Sequence, residues 1–451
     1  MPTNVDFWQW LLLLTFGGLF LGLAPRARSV SAFFEAQSTG GRRPSALVLT
    51  SSLVISWIFA KSITNAANLS LAFGVVGGVS YALYYGSFLI AGLVIYQLRT
   101  EGGFHSLHHF LDRRYGRAAV YLFSLLVGFR LFNEVWSNTI VIGSYFGEVG
   151  TQPYYIAIVV FTSLTLLYTL KGGMGSSILT DAIQMVFFGV LLFVILALVL
   201  PSGDYGLSEY LNSGEWTMAT GLNFFFVALI QIFSYPFHDA VLTDRGFLSD
   251  PRTTLRSFIW ASGIGFCCIL LFSVVGVHAR LLGLSGPAAV EVSKLLGLGA
   301  MLLMNFIMIT SAASTLDSAF TSGAKLLAKD LGGVAVLSVA KGRWTMTIFA
   351  LLGTLPVFLN PTVLSATTIS GTMVLGLAPV FILWKRQAPP LAFHLAVGTG
   401  LLVGVTLALG YWPESLVFFE GKYGDLLSAN VVGTVFSFGL FLIASNRRKN
   451  D

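Results

Sequence analysis

Runs of about 20 apolar residues, each long enough for a helix to cross a hydrocarbon core, recur along the whole chain. The pattern predicts thirteen such helices, near 7–24, 46–73, 75–98, 117–146, 153–170, 176–200, 219–238, 254–280, 296–328, 343–359, 361–384, 390–411 and 428–446. The informative positions are the polar ones that interrupt them. In 301–330 the first half is apolar, and hydroxyls then crowd in at Thr310, Ser311, Ser314, Thr315, Ser318, Thr321 and Ser322, with a carboxylate at Asp317. Ser311, Ser314, Asp317, Ser318 and Thr321 recur at three- and four-residue intervals, so one helical face is polar. Such a face inside a membrane must look at protein or water. Small hydroxyls alone serve close helix packing; the carboxylate points to an ion path.

A second interrupted helix runs over 56–78, where Thr64, Asn65, Asn68 and Ser70 break the apolar surface. Buried amides need partners, from neighbouring helices or from a bound solute. Two asparagines within one turn, followed by a glycine-rich end, read as a locally unwound helix with carbonyls free for an ion. Lys61 in the same helix would cost roughly 2.5–3.5 kcal/mol unpaired at mid-membrane. The expected partners are Asp317 and Asp181, in a Lys61–Asp317–Asp181 cluster; the alternative is snorkelling to the inner interface. In 117–146, Arg130 and Glu134 are four apart and able to pair. They form either an internal salt bridge or a solute-facing pair, Arg130 for a carboxylate and Glu134 for an amine or amide. The stretch 171–184, K-G-G-M-G-S-S-I-L-T-D-A-I-Q, predicts a tight turn followed by a polar stripe of Thr180, Asp181 and Gln184. In 219–238 and just beyond, Asn223, Gln231 and the S-Y-P-F-H-D run at 234–239 set a proline among polar groups, compatible with a second discontinuous helix.

Composition narrows the class. The 451 residues are 55% hydrophobic and only 10% charged, which a soluble domain of this size would not show. The +6 net charge belongs to basic loops of a membrane chain rather than to a nucleic-acid partner. With the N-terminus outside, every one of the 26 basic residues falls inside except Lys61, Arg130, Arg280, Lys294 and Lys422. The C-terminus is then cytoplasmic. The first helix lacks a cleavage-site pattern and reads as a retained span. Cys267 and Cys268 are adjacent in one apolar helix, so a structural disulfide between them is not expected. His105, His108 and His109 fit an amphipathic surface helix with Phe104, Leu107, Phe110 and Leu111 on its apolar side. No helix presents paired histidines for haem, and no catalytic residue, enzyme chemistry or cofactor is indicated.

The S-T-L-D-S-A-F-T-S run at 314–322, followed by Asp330, resembles the eighth core helix of the sodium:solute symporter family. The G-G-x-x-x-x-x-x-T-D-x-x-Q pattern at 172–184 is similar to a second signature of that family. Trp57, Phe59 and Ala60, then Gly74, Val75, Gly77 and Tyr81, are closest to the first core helix of its urea-type branch. The resemblance implies sodium held by the hydroxyls of Ser314 and Thr315 and the carbonyls of Ser311, Thr64 and Ala67, with Asp181 on the inner route and Asp317 one turn further. It implies an all-α polytopic membrane protein of leucine-transporter-like fold, with two inverted five-helix repeats. The expected organisation is 1–45, a peripheral helix and connector; 46–200 and 201–384, the repeats; and 385–451, two final helices and a basic tail. The implied activity is sodium-coupled symport of a small polar organic solute (urea, an amine, an amino acid or a carboxylate) across a bacterial inner membrane. Asn65, Asn68, Arg130, Glu134 and Gln231 are the candidate solute contacts, and the hydroxylated stretch 365–373 suits a sliding gate. Two alternatives stay open: proton coupling, with Lys61 as a titrating group in place of sodium, and a sensor that does not transport.

Overall fold

The computed structural model describes residues 5–37, 43–332, 336–359 and 370–447. Every regular element among them is a helix. In chain order the helices used below are α1 (Val5–Leu23), α2 (Ala46–Trp57), α3 (Ala60–Phe73), α4 (Val75–Thr100), α5 (Leu107–Tyr115), α6 (Arg117–Gly143) and α7 (Gln152–Val199). After them come α8 (Leu222–Gln231), α9 (Ala240–Arg245), α10 (Pro251–Leu281), α11 (Leu298–Lys325), α12 (Val339–Thr354), α13 (Leu377–Ile382), α14 (Pro390–Ala408) and α15 (Gly424–Arg447).

Nine of the described helices are long and apolar enough to cross a membrane, or ten if α2 and α3, bent by 59°, count as one span. The expectation of thirteen differs for three reasons. The segments 153–170 and 176–200 are two helices that meet at a kink at Gly173 (φ 59, ψ −144) and carry the one label α7, so the count of nine takes them together; a side chain at Gly173 would meet the carbonyl of Phe33. The segment 219–238 is divided, because Pro236 in the turn Tyr235–His238 cannot donate to a continuing helix. The segment 361–384 is described only from residue 370, so most of the proposed gate at 365–373 lies outside the described residues.

The α2/α3 break carries neither glycine nor proline. Ile58 (φ −78, ψ 70) and Phe59 (φ −62, ψ 147) leave the helix, and Phe59 starts α3 without a side-chain cap. The glycine-rich end does not unwind α3. Gly74 (φ 64) forms the turn into α4, with the Val75 N–H donating to the Ser213 carbonyl at 2.9 Å.

The chain divides into two compact units interleaved along the sequence. The first comprises Met1–Gly78, Leu131–Gly214 and Cys267–Pro361. At its centre α11 packs on α7, with α2 and α1 against both. Every residue from 307 to 324 is buried, apolar and polar alike, so the hydroxyl-rich face is an internal surface. The second unit comprises Val79–Arg130, Glu215–Phe266 and Thr362–Asp451. In it α15 packs on α14 and α8, and α13 joins α14 and α15.

Candidate functional site

In the first unit the hydroxyl face of α11 meets the α2/α3 break and the middle of α7. The Ser311 hydroxyl donates to the carbonyl of Ile58, the residue at which α2 ends. One turn on, the Ser314 hydroxyl donates to Asp181 Oδ1 at 2.5 Å, and Ser52 of α2 donates to Asp181 Oδ2 at 2.5 Å. Thr315 turns back on its own helix, its hydroxyl 3.0 Å from the Ser311 carbonyl. Asp317 is fully buried and receives hydroxyls from three other positions. Ser177 donates to Oδ1 at 2.7 Å, while Tyr168 and Thr180 donate to Oδ2 at 2.8 and 3.0 Å. The Ser318 hydroxyl adds a longer bond of 3.3 Å. The result is an all-oxygen cluster of hydroxyls, carbonyls and two carboxylates. That donor set suits a hard cation such as sodium, whereas transition metals favour imidazole or thiolate. Among the described residues no group of three or more His, Cys, Asp or Glu could hold a metal.

Two of the expected features have surroundings that the sequence does not give. Thr64 and Ala67 lie inside the continuous helix α3, where backbone carbonyls accept from the helix itself, and the Thr64 hydroxyl returns to the Ala60 carbonyl at 3.0 Å. The carbonyl presented at the break is that of Ile58, six residues earlier. Lys61, expected beside Asp317 and Asp181, instead forms an ion pair with Glu134 of α6, Nζ to Oε1 2.8 Å, and both side chains are buried. The break accounts for this partner. Lys61 is the second residue of α3, where a backbone N–H has no intrahelical acceptor, and that N–H donates to Asn138 Oδ1 at 3.2 Å. Asn138 Nδ2 in turn donates to Glu134 Oε2 at 3.1 Å, and the ammonium stands 5.0 Å from the Phe59 ring centroid.

The proposed solute contacts fall into different surroundings. Asn65 is buried, and its Nδ2 has no hydrogen-bond partner among the described residues. Asn68 Oδ1 accepts from the N–H of Ala288 at 2.9 Å, at the start of the short helix Ala288–Leu295. In the second unit Gln231 lies at the end of α8 in a polar network. Its Oε1 accepts from Tyr84 at 2.7 Å, and its Nε2 donates to Asn430 Oδ1 at 2.9 Å and approaches Thr372 Oγ1 at 3.5 Å. Arg130 pairs with Asp239, Nη2 to Oδ2 3.2 Å, and lies 5.0 Å from the Tyr235 ring centroid.

Sequence reasoning missed Ile58, Ser52, Tyr168, Asn138 and Asn430, and named Asp239 only as the end of the 234–239 run, without its partner Arg130. Two carried a usable signal. Asn138 is four residues beyond Glu134, hence on its face, and Asp239 follows a proline turn at a helix start. Nothing local distinguishes Ile58 or Asn430 from other membrane-helix residues.

No protein-family model and no curated relative matches the sequence. Solved structures do match. The chain is similar to the substrate-bound outward-open state of a Na+-coupled sialic acid symporter, at 16% identity and a TM-score of 0.74 over 98% of both chains. It is also similar to the inward-facing conformation of Mhp1 (15%, TM-score 0.60, 94% of this chain and 96% of that one). A third is MhsT in complex with L-phenylalanine (15%, 0.54, 90% and 100%). The fold is therefore the leucine-transporter-like one, and the chain is an integral membrane protein.

Proposed function

We propose that this chain is a secondary active transporter that couples uptake of a small organic solute to a cation gradient, with sodium as the cation. The observation that carries this reading is the contact between the Ser311 hydroxyl and the Ile58 carbonyl, which brings the polar face of α11 onto the break in α2/α3. Sodium held there would take the Ile58 carbonyl together with the hydroxyls of Ser311, Ser314 and Thr315. Asp181, bonded to Ser314, and then Asp317 would offer the next oxygens along its route. A cation bridging the break and α11 stabilises one arrangement of the broken helix. If solute binds that same arrangement better, ion and solute binding are coupled and the gradient does work.

The similarity to a sialic acid symporter and to MhsT in complex with L-phenylalanine favours a small organic solute here. The buried amide of Asn65 and the charges at Lys61, Glu134 and Arg130 favour a polar one. The excess of basic residues in alternate loops favours an outside N-terminus and a cytoplasmic C-terminus in a bacterial inner membrane.

The test is uptake in proteoliposomes, screened over urea, amino acids and short carboxylates with and without a sodium gradient. The parent is expected to show sodium-dependent accumulation, and Ser314→Ala and Asp181→Asn to abolish it. Unchanged sodium activation in both variants removes the site assignment. The Lys61–Glu134 pair supports one second reading, in which a proton moving between these groups replaces sodium. Accumulation driven by a pH step in sodium-free buffer, and lost in Glu134→Gln, would favour it.

A further inference from the structure

In the second unit, the end of α5, the start of α14 and the last turns of α15 line a half-open cavity of about 860 Å³. This lies within the range of roughly 300–1,000 Å³ usual for small-ligand sites. Its lining is of two chemistries. Arg113 and Arg114 line it from α5, and Leu391, Leu395, Leu440 and Ile443 line it from α14 and α15. Leu391 and Leu395 are four apart on α14, and Leu440 and Ile443 three apart on α15, so each pair forms a strip along its helix. Leu391 is 55% and Ile443 58% exposed, so the apolar wall is open to whatever surrounds the helices.

Arg114 is held in place, and the two arginines carry surplus charge. Arg114 Nη2 donates to the Trp384 carbonyl at 3.1 Å, which leaves the rest of its guanidinium fork directed elsewhere. Neither arginine forms an ion pair among the described residues. Of the nearby acids, Asp112 is exposed beside them, and Glu101 is already bound by Lys385 at 2.6 Å. Arg386, bonded to Asn446 Oδ1 at 2.5 Å, adds a third guanidinium close to the end of α15.

An entirely polar ligand would leave the leucines uncovered, and an entirely apolar one would bury cations without a counter-charge. We propose that the cavity binds an anionic phospholipid. Its phosphate is held by the Arg113 and Arg114 forks, which match phosphate geometry, and an acyl chain lies along Leu391, Leu395, Leu440 and Ile443. Basic pockets between membrane helices at the cytoplasmic side recognise acidic lipid headgroups by this combination. The lipid would join α5 to α14 and α15 from within the bilayer.

Lipid titration of the purified full chain, read by native mass spectrometry, tests this with phosphatidylglycerol, phosphatidylcholine and inorganic phosphate. Phosphatidylglycerol is expected to bind about tenfold more tightly than phosphatidylcholine. The Arg113→Gln/Arg114→Gln double variant should bring the two lipids together, while Lys341→Gln on the exposed start of α12 should keep the preference. Ile443→Trp, which narrows the apolar side and leaves both arginines, should also weaken phosphatidylglycerol. If the double variant unfolds at a lower temperature than the parent, Arg113→Gln alone, which spares the Trp384 bond, carries the test with a several-fold loss expected. Equal binding of the two lipids by the parent, or an unchanged preference in the arginine variants, overturns the proposal. So does full displacement of the lipid by millimolar phosphate, which would make this a site for the free anion.

Discussion

After the break at Ile58 the chain re-enters a helix with a lysine as its second residue, and after the turn at Pro236 it re-enters one behind a capping aspartate. Asp239 is the N-cap of α9, and its Oδ1 accepts from the Leu242 N–H at 3.1 Å. A carboxylate at a helix N-terminus satisfies an orphan donor and matches the dipole. Lys61 puts a cation at the same end of α3, where the dipole disfavours it, and Phe59 before it offers no cap. Both charges pair with α6, Asp239 with Arg130 and Lys61 with Glu134, four residues apart in sequence. The difference lies in where each break draws its support. The second is written into its own sequence by proline and a capping aspartate. The first is held by other elements: Ser311 on its free carbonyl, Asn138 on its free N–H, and Glu134 on its ammonium. A break stabilised by neighbours changes when those neighbours are engaged by something else. On the proposed function, that makes α2/α3 the element suited to sense an ion.

The largest effect expected from this contrast is that of Glu134→Gln. It strands a buried ammonium, and removing one partner of a buried pair costs about 3–5 kcal/mol, readable as a lowered unfolding midpoint of the detergent-solubilised protein. Asp239→Asn should cost less, since asparagine caps as well as aspartate and Arg130 keeps its place by the Tyr235 ring. Equal losses would mean that the local cap contributes nothing and the contrast is empty. A double variant, Lys61→Met with Glu134→Leu, removes both charges together and should recover most of the lost stability. Uptake by that double variant would reduce the pair to packing. Ser311→Ala is expected to come next, at about 1–2 kcal/mol for a buried carbonyl deprived of its donor. A loss near zero would show that α11 does not hold the break.

The same contrast explains what could be read from the residues alone. The polar face of α11 was legible because residues on one face of a helix recur every three to four positions, and Ser311, Ser314 and Asp317 follow that spacing. The turn at Pro236 was legible because proline acts locally. The break at Ile58 and Phe59 was not, because its cause lies on α6 and α11. The family resemblance instead directs attention to Thr64 and Ala67, ahead of a glycine cluster whose use is the turn into α4. The partner of Lys61 was hidden for the same reason. Four-residue spacing makes Glu134 look committed to Arg130, and only tertiary structure brings Glu134 to Lys61 and surrounds Asp317 with the hydroxyls of Tyr168, Ser177 and Thr180.

A third helix start sharpens the comparison at its weakest end. Asp250 precedes α10, and its Oδ1 accepts from the Thr253 N–H at 2.9 Å. Hydrogen bonds from the Thr253 side chain and backbone hold its carboxyl below the ordinary 3.8. Because the folded value is the lower one, the stabilisation is fully present above 3.8 and is lost as pH falls through the folded value. Asp250 is exposed, so Asp250→Ala should cost only about 0.5 kcal/mol, the low end for a lost cap. Asp250→Asn should keep the cap and lose the acid dependence. Unfolding midpoints between about pH 5 and about pH 3 are therefore expected to fall less steeply in Asp250→Asn than in the parent. An unchanged slope would assign the acid sensitivity to other carboxylates and leave Asp250 a cap of no electrostatic consequence, unlike the buried Asp239.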